Sequence, residues 1–254
     1  MSELIEARGL TKEYGASRVV DGVSFSIRRG ETLGLVGESG SGKSTVARML
    51  LRLVEPSAGS VRFDGTDVLA ANKTELRALR RRMQMVFQDP FAALNPKMRI
   101  REIVGEPFAI HGGYTRGAVR TRVAELMGEV GLHTDVLERY PHEFSGGQRQ
   151  RINIARALAL KPEFLALDEP VSALDVSVGA QVINLLRDLQ QTHGLTYLFI
   201  SHSMPLVRYL CDRVAVMQGG RLVEVGNAVE VCEHPREAYT QRLVAATPVM
   251  PPIQ

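Results

Sequence analysis

Hydrophobic and polar positions follow two rhythms along this chain. Leu4-Ile-Glu-Ala-Arg8 and Val23-Ser-Phe-Ser-Ile27 are short strand-like runs around a polar turn at Tyr14-Gly15. Glu31 to Val36 is nearly continuous in apolar residues and predicts a buried strand. Ser44 to Leu53 carries the period of an amphipathic helix. Gly59 to Phe63 predicts a strand ended by Asp64-Gly65, Thr74 to Arg82 a helix, and Met83 to Phe87 a strand ended by Gln88-Asp-Pro90. From Phe91 to about Tyr140 the helical rhythm takes over. Arg99 to His111 and Arg116 to Val130 carry it, Gly112-Gly113 separates them, and Gly131 ends the second. Arg149 to Leu160 is a further helix. Phe164 to Leu167 and Leu195 to Ile200 then read as buried strands on either side of a helix over Val176 to Thr192.

Strand–helix alternation of this kind predicts an α/β fold, a mainly parallel sheet covered by helices. An antiparallel β portion precedes it at the N-terminus, and an α-helical subdomain over residues 91–159 is inserted into it. Residues 1–90 and 160–228 form the α/β core of a single domain. Residues 229–254 form a C-terminal extension, a short helix pair running into a proline-rich stretch.

Composition narrows the class. The chain's 254 residues suffice for one large domain or a core with a subdomain. No apolar run approaches the ~18 residues that cross a bilayer. The opening Met1-Ser-Glu-Leu-Ile-Glu-Ala-Arg8 lacks the apolar core of a signal peptide, so a cytosolic protein is expected, one able to dock on a membrane protein. Cys211 and Cys232, the two cysteines, make no disulfide framework and cannot hold an iron–sulfur cluster by themselves. Cys232-Glu-His234 is at most half a metal site. Net charge is +3, with one dense basic cluster at Arg77, Arg80, Arg81 and Arg82. A solvated helix face is the simpler reading of that cluster; contact with nucleic acid or lipid headgroups is the sharper one. No aromatic residues interleave the arginines, and no nucleic-acid partner is expected.

The strongest chemical signal is Gly37-Glu38-Ser39-Gly40-Ser41-Gly42-Lys43-Ser44-Thr45, which fits the phosphate-binding P-loop. Its glycines let successive N–H groups point into one concavity, and the helix start adds partial positive charge. Lys43 suits the β- and γ-phosphates, and Ser44 suits Mg2+. Phe164 to Asp168-Glu169 is an apolar strand ending in two acids. Asp168 would sit in the Mg2+ shell, and Glu169 would polarise an attacking water. Ser145-Gly146-Gly147-Gln148 opens a helix. A capping box explains Ser145 and Gln148; the paired glycines ask for something close to the backbone, such as an anion. Ser172-Ala-Leu-Asp175 is again a capping pattern. His202 and Gln88, each just past a strand, say little alone.

Together these residues resemble ATP-binding-cassette ATPases over nearly the whole chain. Gly37 to Thr45 matches Walker A, Phe164 to Glu169 Walker B, and Ser145 to Gln148 the family signature, with Phe144 where Leu is more usual. Gln88 matches the Q-loop, Ser172 to Asp175 the D-loop, and His202 the switch histidine. Tyr14 matches the aromatic that stacks on adenine. The resemblance implies a P-loop NTPase core, ATP and Mg2+ as ligands, and Ser44, Gln88 and Asp168 around the metal. It implies Glu169 as general base, assisted by Lys43, Gln88 and His202. It also implies that Ser145 to Gln148 contact the γ-phosphate of ATP held by a second ATPase subunit, identical or paralogous, and that Asp175 of the D-loop is a nucleotide-binding residue.

A narrower resemblance, to the peptide and nickel importer group, rests on Val86-Phe-Gln-Asp-Pro-Phe-Ala-Ala-Leu-Asn-Pro96, Tyr140 to Gly147, Asp168 to Ser177 and Pro235 to Pro248. Glu237-Ala238 replaces the usual His-Pro, and Ser203 the usual Asp. This resemblance implies transport of oligopeptides, dipeptides or a small solute such as nickel. It also implies two transmembrane permease subunits, an external solute-binding protein, and a peripheral place on the cytoplasmic side of the membrane. The alternatives are a non-transport ATPase of a phosphonate-degrading complex and a nucleic-acid-acting cassette protein; the latter lacks its usual insertions here.

Overall fold

The computed structural model describes residues 2–246. Strands β1 (Glu3–Tyr14), β2 (Ser17–Arg28) and β3 (Thr32–Val36) precede helix α1 (Lys43–Leu50). Next come β4 (Ala58–Phe63), β5 (Thr66–Asp67), α2 (Lys73–Arg82) and β6 (Met83–Val86). The helical stretch holds α3 (Pro90–Ala93), α4 (Ile100–His111), α5 (Arg116–Glu129) and α6 (Gly146–Leu158). Alternation resumes with β7 (Phe164–Asp168), α7 (Val176–His193), β8 (Thr196–Ser201), α8 (Met204–Leu210), β9 (Arg213–Gln218) and β10 (Arg221–Asn227). Helices α9 (Ala228–Glu233) and α10 (Ala238–Ala245) follow; the expected proline-rich stretch lies outside the described residues.

Two sheets form. One is antiparallel in the order β2-β1-β4-β5; the other runs β10-β9-β3-β8-β7-β6. Strands β9, β3, β8, β7 and β6 are mutually parallel, and β10 is an antiparallel edge. The parallel strands are buried on both faces, and their side chains divide with period two. Leu33, Leu35, Phe164, Ala166, Leu198 and Ile200 enter the core shared with α1 and the antiparallel sheet. Leu165, Leu167, Tyr197 and Phe199 enter the core shared with the other helices. A one-residue slip would exchange the two sets, so the register is tightly specified. The whole helical stretch lies between β6 and β7, which are neighbours in the sheet.

Local chemistry shifts some boundaries. The helix expected to run to Leu53 ends at Leu50. Arg52 adopts a left-handed conformation with φ 50°. Its N–H bonds Met49 O, and the Leu53 N–H bonds Arg48 O, so the last carbonyls are closed off in a Schellman turn. The structure adds a β9–β10 hairpin, turned at Gly219-Gly220 between two apolar runs.

Arg77 and Arg81 stand on the exposed face of α2, as the simpler reading expects, while Arg80 and Arg82 are half-buried, and all four are held by partners within the chain. Arg77 donates to Ile110 O, Arg80 to Arg52 O at 2.7 Å, and Arg81 to the Tyr114 hydroxyl at 2.8 Å. Arg82, with Arg29, is paired to Asp64 and Glu163, and these four side chains tie the antiparallel sheet to the start of β7. Cys211 is buried and Cys232 half-buried, both as free thiols. Among the described residues no group of three His, Cys, Asp or Glu could hold a metal.

Candidate functional site

The order β3-β8-β7-β6 decides where the chemistry collects. These four strands are parallel neighbours, so their C-terminal ends share one edge, the place where open α/β sheets bind ligands. The P-loop leaves β3 there, Gln88 follows β6, Asp168 and Glu169 end β7, and His202 follows β8. A cleft of about 440 Å3 opens at this edge. Ser39, Gly40, Gly42, Lys43, Ser44 and Thr45 line it, together with Gln88, Glu169, His202 and Val19. A larger hollow, about 1210 Å3, lies beside α4 and α5, and none of the expected site residues lines it.

Helix α1 begins without a side-chain cap, because its N-cap is Gly42. Gly42 has φ 103°, and a Cβ there would stand 2.6 Å from Val19 O, so only glycine fits. The N–H groups of the first turn are thereby left for a ligand. Lys43 is buried and folds back on its own loop, donating to Gly37 O and Glu38 O, each at 2.8 Å. Burial pulls its ammonium below the ordinary value, against the opposing charges of Glu169, Asp168 and Glu38.

Ser44 Oγ donates to Asp168 Oδ1 at 2.7 Å. Burial pushes the Asp168 carboxyl above its ordinary value, and the Ser44 bond opposes that shift. Glu169 has a left-handed backbone, φ 46°, uncommon for a residue with a side chain. Its N–H bonds Ile200 O at 3.1 Å, and its carbonyl accepts from the Ser172 N–H and hydroxyl. Glu169 Oε2 accepts from Gln88 Nε2 at 3.1 Å, and His202 Nδ1 stands 3.5 Å from the same oxygen.

Other expected residues lie outside the cleft. Gly37, Glu38 and Ser41 hold Lys43 from behind rather than lining the cavity. Tyr14, 51% exposed at the end of β1, carries Lys12 Nζ 4.9 Å from its ring centre and does not line the cavity. Val19 does line it, and nothing in its apolar context could have marked it beforehand.

Ser145 and Gln148 form the capping box: Ser145 Oγ accepts from the Gln148 N–H, and Gln148 Oε1 accepts from the Ser145 N–H. The paired glycines have a reason inside the chain. A Cβ on Gly147 would stand 2.2 Å from Val178 Cγ1, and one on Gly146 3.2 Å from Leu174 Cδ2. The start of α6 therefore packs on the segment leading into α7. The capping reading of Ser172 is corrected. Asp175 is the N-cap of α7 and accepts from the Val178 N–H, while Ser172 turns back to Glu169.

Comparison with known proteins gives the family and the fold. The sequence profile of the ABC transporter family matches residues 20–172. A putative peptide import ATP-binding protein of Brucella ovis is 53% identical over 249 residues, covering 96% of this chain and 78% of the relative. The oligopeptide transport ATP-binding protein AppF of Bacillus subtilis is 52% identical over 239 residues, covering 94% of this chain and 73% of AppF. Among solved structures, cbiO1 of Clostridium perfringens, part of the cbiONQ transporter complex, superposes with TM-score 0.83 at 28% identity, covering 92% of each chain. The ADP- and phosphate-bound dimer of the ATP-binding cassette MJ0796 gives TM-score 0.79 at 28% identity, over 88% of this chain and 98% of that one. On the family match, the identity of the relatives and the shared fold, the chain belongs to the ABC transporter family and carries its ATP-hydrolysing cassette.

Proposed function

We propose that the chain is the ATPase subunit of a peptide importer. It works as one of a pair of cassettes beneath two transmembrane permease subunits, on the cytoplasmic side of the membrane. The observation that carries the catalytic part is the meeting of Glu169 with Gln88 and His202, beside Lys43 and Ser44. The cargo is supported by the relatives, which are named for peptide and oligopeptide import.

In the reaction, Lys43 gives up the carbonyls of Gly37 and Glu38 and turns to the β- and γ-phosphates. Glu169 orients a water and takes its proton as the oxygen bonds to the γ-phosphorus. The bond from that phosphorus to the β–γ bridging oxygen breaks, giving ADP and phosphate. Gln88 and His202 fix the Glu169 carboxylate. A hydroxyl, a carboxylate and an amide, on Ser44, Asp168 and Gln88, offer oxygen donors that suit Mg2+ and would hold it there. Bound there, the ion would offset the phosphate charge. Tyr14 offers its ring to the adenine. Ser145 to Gln148 and Asp175 of a second cassette complete the pocket, since in this chain they lie outside it.

Uptake of a labelled oligopeptide tests the proposal. Cells whose only copy carries Glu169→Gln should lose uptake, and the wild-type gene should restore it. Unchanged uptake in those cells overturns the reading.

A further inference from the structure

Nothing in the reaction above uses the C-terminal extension, yet one of its side chains reaches the nucleotide loop. Tyr239, on α10, is 6% exposed, and its hydroxyl oxygen accepts a hydrogen bond from the Glu38 backbone N–H at 3.0 Å. That N–H shares a rigid peptide plane with the Gly37 carbonyl. The carbonyl end is held too, accepting from Lys43 Nζ at 2.8 Å. Turning the plane would therefore break both bonds at once. The plane also rests against β9: a Cβ on Gly37 would stand 2.1 Å from Met217 O.

The helix that presents Tyr239 is anchored independently. Glu224, on β10, accepts from the backbone N–H groups of Arg236 at 3.0 Å and Glu237 at 3.2 Å, just before α10. The Tyr239 ring joins the core that contains Val214 and Val216 of β9. An unbroken line of contacts thus runs from the sheet edge, through the extension, to the peptide that holds the P-loop lysine.

We propose that Tyr239 is a positioning residue for the P-loop. Its hydroxyl fixes the Gly37–Glu38 peptide, so the backbone of the loop is shaped for phosphates before ATP arrives, whichever way Lys43 then turns. The inference rests on the nucleotide-site reading above. Its physical basis is preorganisation: a loop held in its binding shape loses less freedom when the ligand docks. Without the hydroxyl, the Glu38 N–H loses its acceptor and the plane is free to turn.

Tyr239→Phe keeps the ring in its core position and removes only the hydroxyl. With the full chain and MgATP, titration calorimetry should show Kd weakened about three- to tenfold, the scale of one neutral hydrogen bond. Hydrogen exchange at the Glu38 amide should be slow in the wild type and faster in the variant. A Kd within a factor of two of wild type, even with a lowered melting temperature, overturns the proposal. So does a wild-type Glu38 amide that exchanges like an open loop, whatever the variant does. If the wild type itself does not bind MgATP, the nucleotide-site reading fails, and the exchange measurement still decides the Tyr239 contact.

Discussion

Two helices of this molecule start from glycine-rich turns, and their N-termini are finished in opposite ways. Helix α1 has a left-handed glycine as its N-cap and no side-chain cap, and it opens onto the cleft that holds Glu169, Gln88 and His202. Helix α6 is closed by the Ser145–Gln148 capping box, and its Gly147 leans on Val178. No residue of the α6 turn lines the cleft. The same residue types, glycine and a small hydroxyl, serve an open site at one helix and a packed joint at the other. A glycine-rich helix start is thus evidence of close approach, and the tertiary partner decides whether a ligand or the chain itself makes that approach.

The largest effect should come from chemistry at the open site. Glu169→Gln should keep ATP binding and lose roughly 10²–10⁴ in turnover, the scale of a positioned base. Lys43→Ala and Ser145→Arg should each be inactive alone. Mixed, they should regain hydrolysis, because one shared pocket then has both halves intact. A mixture of the two folded variants that stays at background would break the reading of α6 as the trans half of the site.

Next in size is Gly147→Ala, whose added methyl must displace Val178. Overpacking of this kind costs about 1–3 kcal/mol in thermal or denaturant unfolding. Val178→Ala in the same chain should recover much of that loss. If ATPase activity recovers as well, Gly147 serves packing alone; if only stability recovers, the turn also meets a ligand.

The smallest effects should differ in sign between the two regions. Ser145→Ala removes a satisfied cap and should lower stability by about 1 kcal/mol. Asp168→Asn removes a carboxylate whose burial raises its pKa, and it should raise the melting temperature slightly. Below the ordinary carboxylate value both the folded and the unfolded chain are protonated there, so variant and wild type should then melt alike. As pH rises, the unfolded chain ionises first, the wild type loses stability, and the gap widens until the folded-state value is passed. A gap that shrinks with rising pH would contradict the assigned shift.

Much was legible in the residues themselves. The burial of the parallel strands follows from their apolar runs, and the capping pattern of Ser145 and Gln148 from their spacing. These features depend on neighbours within a few positions, which the chain displays directly. The β9–β10 hairpin is marked by Gly219-Gly220 between two apolar runs. The end of α1 is not legible: it depends on Arg52 adopting a left-handed backbone, which no propensity of arginine suggests. Similarly, the exposed face of Arg77 and Arg81 is legible, but the partners of the arginine cluster, Asp64, Ile110, Tyr114 and Glu163, are not, because they are remote in sequence.

The sequence by itself determined the pieces: a P-loop, an apolar strand ending in two acids, helix starts with their caps, and a family resemblance spanning nearly the whole chain. Only the tertiary structure decided that Gln88, Glu169 and His202 meet beside Lys43, that Gly147 answers to Val178, and that Tyr239 touches Glu38. The reason is physical. Hydrogen bonds and periodicity within a segment are fixed by adjacent residues. Which segments become neighbours is fixed by strand order, parallel direction and the burial of both faces of the sheet, and none of these is written in any one stretch of chain.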